Sequence, residues 1–225
     1  MTGTRVKGTI VKDTLVLFAI TLTAAILLGA VYGITKEPIA KAEEESKLAA
    51  YSKVFEGISG MREDEALSSA LTQSEELFED DPSCEGSKIK EALVALRADG
   101  SIAGLVMTVS NKKGYGGEME FAMGVDTSGK LLGVEFLTLK ETAGLGMKAD
   151  DESFLGQFRG AVTSSYSLSK AKINGETEID AISGATVTTK AVTKGVNAGL
   201  LFARTYMTEN KIYDDSASSE AGSGR

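Results

Sequence analysis

Asp180-Ala181-Ile182-Ser183-Gly184-Ala185-Thr186 runs directly into Val187–Tyr206, where Val192, Val196, Leu200 and Ala203 recur at spacings of three and four. That spacing predicts an amphipathic helix, and the heptapeptide predicts the junction at which a strand hands the chain to it. A helix start carries unpaired N–H groups and partial positive charge, so an anion is stabilised there. Gly184 and Ala185 are small enough to let a partner approach the backbone, and Thr186 adds a hydroxyl. The same residues also suit a plain turn in which Ser183 or Thr186 caps the helix.

Working backwards, Asn174-Gly175 is a two-residue hairpin signal, with Glu176–Ile182 as its second strand. Asp151–Arg159 reads as a helix presenting Phe154, Leu155 and Phe158. Strand-like segments lie near Ala92–Arg97, Ile102–Ser110, Glu118–Val125 and Leu131–Leu139. They are separated by Asp99-Gly100, Gly114-Tyr115-Gly116-Gly117 and Ser128-Gly129, which are turn signals. Links this short predict an antiparallel meander. From Glu63 to Glu85 nine acids and no base follow one another, the pattern of a solvated surface.

Thr14–Ile34 holds 21 residues without a charge, which as a helix spans roughly 30 Å, the hydrocarbon thickness of a bilayer. Arg5, Lys7 and Lys12 precede it, so the positive-inside rule places this tail in the cytoplasm and all that follows Ile34 on the outer face. Ala40-Lys41-Ala42 resembles a signal-peptidase site, but the apolar run exceeds the ~7–15 residues of a signal peptide's core. A retained anchor is expected. The fold class is therefore α+β: an antiparallel sheet with flanking helices behind one N-terminal transmembrane helix. The expected organisation is a cytoplasmic tail (1–13), a transmembrane helix (14–34), a helical stalk and acidic segment (35–85), a ligand-binding domain (86–207) and a disordered tail (208–225).

Composition narrows the chemistry. The 225 residues carry 32 acids against 24 bases, a net charge of −8, which argues against a nucleic-acid partner because phosphate neutralisation needs clustered bases. The chain contains no histidine, which removes histidine-based triads, histidine metal sites and histidine-ligated haem. A single cysteine, Cys84, provides neither an intrachain disulfide nor an iron–sulfur cluster. Redox chemistry would have to come from an organic cofactor. No metal site and no catalytic residue of the chain's own are expected. Ion passage through the single span is not expected either, since it holds no charge.

Lys140-Glu141-Thr142-Ala143-Gly144-Leu145-Gly146-Met147-Lys148 closes the meander. Two glycines around one leucine leave backbone N–H groups accessible to a flat ligand. The loop lacks the third glycine and the strand–helix–strand setting of a dinucleotide fingerprint.

Asp180-x-x-Ser183-Gly184-Ala185-Thr186 resembles the site at which a flavin transferase attaches FMN to threonine through a phosphoester, and Glu141–Gly146 resembles the Glu-Thr-Pro-Gly-Leu-Gly loop of the same FMN-binding domain. With Lys36-Glu37-Pro38-Ile39, the Gly114–Gly117 turn and the single span, the chain resembles the G subunit of the Rnf electron-transport complex. A related family is the C subunit of the sodium-translocating NADH:quinone oxidoreductase. The resemblance implies covalent FMN on Thr186, with Asp180 and Ser183-Gly184-Ala185 in the segment the transferase recognises. It implies ring contacts from Glu141, Thr142, Gly144, Leu145 and Gly146, charge stabilisation by Lys148, and stacking by Tyr115. It implies a membrane-bound redox component, not active alone, whose partners are other membrane subunits of an Rnf-type complex and the flavin transferase. Tethering suits an extracytoplasmic carrier, which would otherwise lose its flavin by dilution. The alternatives are the corresponding quinone-reductase component, another extracytoplasmic flavin carrier, or an anchored sensor module. Two departures stand out: Leu139 occupies a position where the family often has histidine, and Ala143 one where it prefers proline.

Overall fold

The computed structural model describes residues 3–79, 81–169 and 177–212, with side chains from residue 10 onward. The chain divides into two compact units, 1–46 and 47–225.

The first unit is the body of helix α1 (Gly3–Val54). Leu15, Phe18, Ile20, Ile26 and Val31 are all exposed, so apolar side chains occupy every face. The helix is long and apolar enough to cross a membrane, with a mean hydropathy of 2.4 over its most apolar stretch. Three of its threonines are satisfied within the helix: the hydroxyls of Thr14, Thr23 and Thr35 donate to the carbonyls of Ile10, Ala19 and Val31 at 2.8–2.9 Å.

The second unit is built on a five-stranded antiparallel meander in the order β1 (Gly60–Arg62), β2 (Ser87–Leu96), β3 (Ile102–Gly114), β4 (Gly117–Asp126) and β5 (Leu131–Thr138). Four strands occupy the segments whose alternation predicts them. Alternation also divides the side chains between two faces. On one, Leu105, Met107, Val109, Phe121 and Met123 pack against Val192, Val196 and Phe202 of helix α4 (Thr186–Glu209). On the other, Val106, Ala122, Leu93 and Ala95 receive Tyr51, Val54 and Phe55 from the end of α1. There the Tyr51 hydroxyl shares a 2.7 Å hydrogen bond with Thr108, and Lys47 pairs with Glu91 at 2.6 Å.

The contacts therefore place residues 47–79 in the compact unit, whereas the sequence reading starts the domain at 86. Much of the acidic stretch is helix α2 (Glu65–Glu79), which buries Leu67, Ser74 and Phe78 and turns its carboxylates outward. One of them, Glu75, bonds Lys88 at 2.5 Å. Cys84 is buried, and burial pushes its thiol up from the ordinary range.

Three further expectations need amending. Asp151–Arg159 is not one helix but a single turn, α3 (Glu152–Leu155), followed by 3-10 geometry at Gly156–Phe158. The strand ending the hairpin is only β7 (Glu178–Ile179), and it pairs parallel with β6 (Ser167–Leu168). A parallel pair requires a crossover rather than a two-residue turn; Asn174-Gly175 itself lies outside the described residues. Helix α4 runs past residue 208 to Glu209, where Ile212 N–H reaches back to the Met207 carbonyl at 2.9 Å. Residues 213–225 lie outside the described residues.

Candidate functional site

Three segments converge on one pocket of about 470 Å³, lined by Tyr115, Glu141, Thr142, Leu145, Gly146 and the first residues of α4 with the turn before it, Gly184–Thr188. This is within the usual range for a small-molecule site.

The α4 wall is fixed by side chains that bond to backbone. Gln157 Oε1 accepts the Asp180 N–H at 2.7 Å. The Ala185 N–H donates to the Ile182 carbonyl at 2.9 Å, closing a turn in which Gly184 sits at φ +78°. Glycine reaches that conformation without steric cost. The Thr189 hydroxyl then locks the turn, accepting from Ile182 N–H at 3.1 Å and donating to the Ala185 carbonyl at 2.9 Å.

The cap of α4 is Ala185, with no side-chain hydrogen bond. The alternative reading, in which Ser183 or Thr186 caps the helix, is thus not met, and the first-turn amides of Thr186, Val187 and Thr188 are left without a capping side chain. Of the hydroxyls near this start, Thr189 is buried and already bonded, and Ser183 is exposed but outside the pocket. Thr186 is exposed, lines the pocket and makes no hydrogen bond within the described residues. Thr188, which sequence reasoning passed over, also lines the pocket; it is 1% exposed and its hydroxyl has no partner among the described residues. The available signal was a threonine on the buried side of an amphipathic helix.

The opposite wall is the loop from Glu141. The Thr142 carbonyl accepts from the N–H groups of Leu145 (3.1 Å) and Met147 (3.2 Å), folding Ala143 and Gly144 into a tight bend. Leu145, 43% exposed, reaches across to the other wall, where a Cβ on Gly184 would meet its Cδ2 at 3.0 Å. Both Glu141 carboxylate oxygens are buried and, among the described residues, have no hydrogen-bond partner. Gly146 is buried, and a Cβ there would lie 2.6 Å from Glu141 Oε2. Its glycine therefore makes room for the carboxylate, rather than exposing backbone to a flat ligand. The β3–β4 turn forms the third side: the Lys140 carbonyl occupies the space a Cβ on Gly116 would need, and Tyr115 projects with 75% of its surface exposed.

The sequence-expected residues are thus mostly brought together. Thr186, Gly184, Ala185, Glu141, Thr142, Leu145, Gly146 and Tyr115 line one pocket; Ser183, Gly144, Lys148 and Asp180 do not. Asp180 is held through its backbone by Gln157. Leu139 packs against the core, which gives that position a structural role.

Residues 114–201 match the model of the FMN-binding domain, a span that takes in β4, β5, the Glu141 loop and most of α4. The chain is 31% identical over 162 residues to the G subunit of the ion-translocating oxidoreductase complex of Vibrio vulnificus, covering 65% of this chain and 76% of that one. It is 39% identical over 107 residues to the G subunit of the proton-translocating ferredoxin:NAD(+) oxidoreductase complex of Clostridium ljungdahlii. That match covers 48% of this chain and 56% of the relative, so the chain spans only about half the latter's length. The crystal structure of Shewanella oneidensis NqrC superposes with a TM-score of 0.45 at 19% identity, over 53% of this chain and 60% of that one. The chain belongs to the family of G subunits of ion-translocating oxidoreductase complexes.

Proposed function

We propose that this chain is the membrane-bound electron-transfer subunit of an ion-translocating ferredoxin:NAD oxidoreductase complex, carrying FMN linked through its phosphate to Thr186. The observation that supports the attachment is the state of Thr186: among the described residues, the one exposed, unbonded hydroxyl lining the pocket at the first turn of α4. The donor set fits the group. Uncapped amides at the helix start and the Thr188 hydroxyl suit a phosphate ester, Leu145 offers an apolar surface to a ring, and Glu141 supplies a buried acceptor.

FMN, when bound, supplies the electron-transfer chemistry. The protein residues position and shield. Thr189 and Gln157 hold the turn so that Thr186 faces the pocket, while Leu145 covers the space between the walls and limits water. Helix α1 is the membrane anchor, with its N-terminus cytoplasmic and the flavin domain on the extracytoplasmic face. A flavin transferase matures the chain, and other membrane subunits exchange electrons with it.

Thr186→Ala tests the attachment. The full chain produced with a flavin transferase should show the mass of one FMN less one water and fluoresce after denaturing electrophoresis. The variant should lose both. Fluorescence surviving in the denatured variant would place the bond elsewhere.

A further inference from the structure

Among the described residues, both oxygens of Glu141 are fully buried side-chain atoms without a hydrogen-bond partner. Native proteins rarely leave such atoms unpaired, and an unpaired buried carboxylate is strongly destabilising. This one lies in the wall of the flavin pocket. It is also actively accommodated there. A Cβ on Gly146 would stand 2.6 Å from Oε2 and 2.8 Å from Glu141 Cβ. The missing side chain of Gly146 thus leaves a slot of carboxylate size. Among the described residues no lysine or arginine pairs with it: none of the salt bridges in the second unit involves Glu141.

Carboxylate oxygens accept hydrogen bonds, so the partner that suits both of them is a donor brought by the ligand. The oxidised isoalloxazine ring has one N–H, on the imide nitrogen N3; its other polar ring atoms are acceptors. We infer that the Glu141 carboxylate is the acceptor for the flavin's imide N–H, and that Gly146 serves the site by seating that carboxylate. This rests on the FMN reading of the pocket but not on attachment at Thr186. The assignment makes Glu141 a specificity residue: it rewards a ring with an N–H and rejects one that presents only acceptors at that edge.

The test uses the full chain carrying Thr186→Val, so that binding is reversible and independent of covalent attachment. The probes are riboflavin, which lacks the phosphate, and N3-methylriboflavin, which also lacks the imide N–H. The Thr186→Val chain should bind riboflavin roughly ten- to hundredfold more tightly than the methylated flavin, the range for a hydrogen bond to a charged group. Adding Glu141→Leu should abolish that preference and raise the melting temperature of the flavin-free protein, because two buried unpaired polar atoms are removed. Gly146→Ala should also abolish the preference, and combining it with Glu141→Leu should change the preference no further. Glu141→Gln, which keeps a carbonyl acceptor in the same shape, should retain part of it and covers the case in which Glu141→Leu does not fold.

Equal binding of the two flavins by the chain with Glu141 intact overturns the assignment and leaves the flavin reading standing. So does a preference that survives Glu141→Leu, or a flavin-free melting temperature raised by sodium or magnesium ions only when Glu141 is present. Failure of both flavins to bind overturns the flavin reading of the pocket itself.

Discussion

The two walls of the pocket differ in what holds them and in what they offer. The α4 wall is braced by side chains, with Gln157 on Asp180 and Thr189 on Ile182 and Ala185. It presents donors: the amides of the first turn and the hydroxyls of Thr186 and Thr188. The loop wall is braced by backbone, with the Thr142 carbonyl holding Leu145 and Met147, and its buried polar group is an acceptor, the Glu141 carboxylate. A donor wall facing an acceptor wall is the arrangement that the proposed flavin ester would need, anionic at one end and with an N–H at the other. Bracing follows the same division. The wall that carries Thr186 is fixed by specific side-chain bonds, and the wall that carries Leu145 is shaped by backbone bends.

Three substitutions sharpen this contrast beyond those at Thr186 and Glu141. Thr189→Val should have the largest effect. It keeps the shape but removes both bonds to the turn and strands the buried Ile182 N–H. The expected loss is about 1–3 kcal/mol of stability in denaturant unfolding, with lower FMN loading per folded molecule measured by mass. Full loading would show that the turn does not need its brace. Thr188→Val should separate binding from stability. Its hydroxyl has no partner among the described residues, so unfolding should be unchanged or slightly harder, while reversible FMN affinity in a Thr186→Val background falls about two- to tenfold. Equilibrium dialysis measures this, and an unchanged affinity removes Thr188 from the donor wall. Tyr115→Ala should matter least to the fold, within about 0.5 kcal/mol, because the side chain is largely solvated. A large loss of stability would mean that the third side carries the other two.

The meander was readable because alternation and turn residues act locally: β2 to β5 lie where Ala92–Leu139 places them. Helix α2 was hidden by its charges. Leu67, Leu71, Ser74 and Phe78 have helical spacing, yet the surrounding acids suggested only solvent. The β6–β7 pair could not be read, since parallel pairing of two-residue strands depends on tertiary packing and leaves no periodicity. At the site, Thr186 and the Glu141–Gly146 loop stood out as motifs. The fate of the Glu141 side chain did not, because a carboxylate in a glycine-rich loop normally faces water. Its burial follows from Gly146, whose missing Cβ leaves room for the carboxylate, and from the close approach of the β3–β4 turn to Lys140.

Ala185 begins a 24-residue helix without a capping side chain, where Ser, Thr, Asp or Asn would ordinarily add about 1 kcal/mol. Selection for heat resistance alone would therefore tend to fill this position. An aspartate or serine oxygen there would occupy the same amides that a phosphate ester would use, so a library evolved only for thermal survival would drift toward chains that fold better and load less flavin. Thermostabilising this protein without losing its cofactor means leaving residue 185 deliberately unimproved.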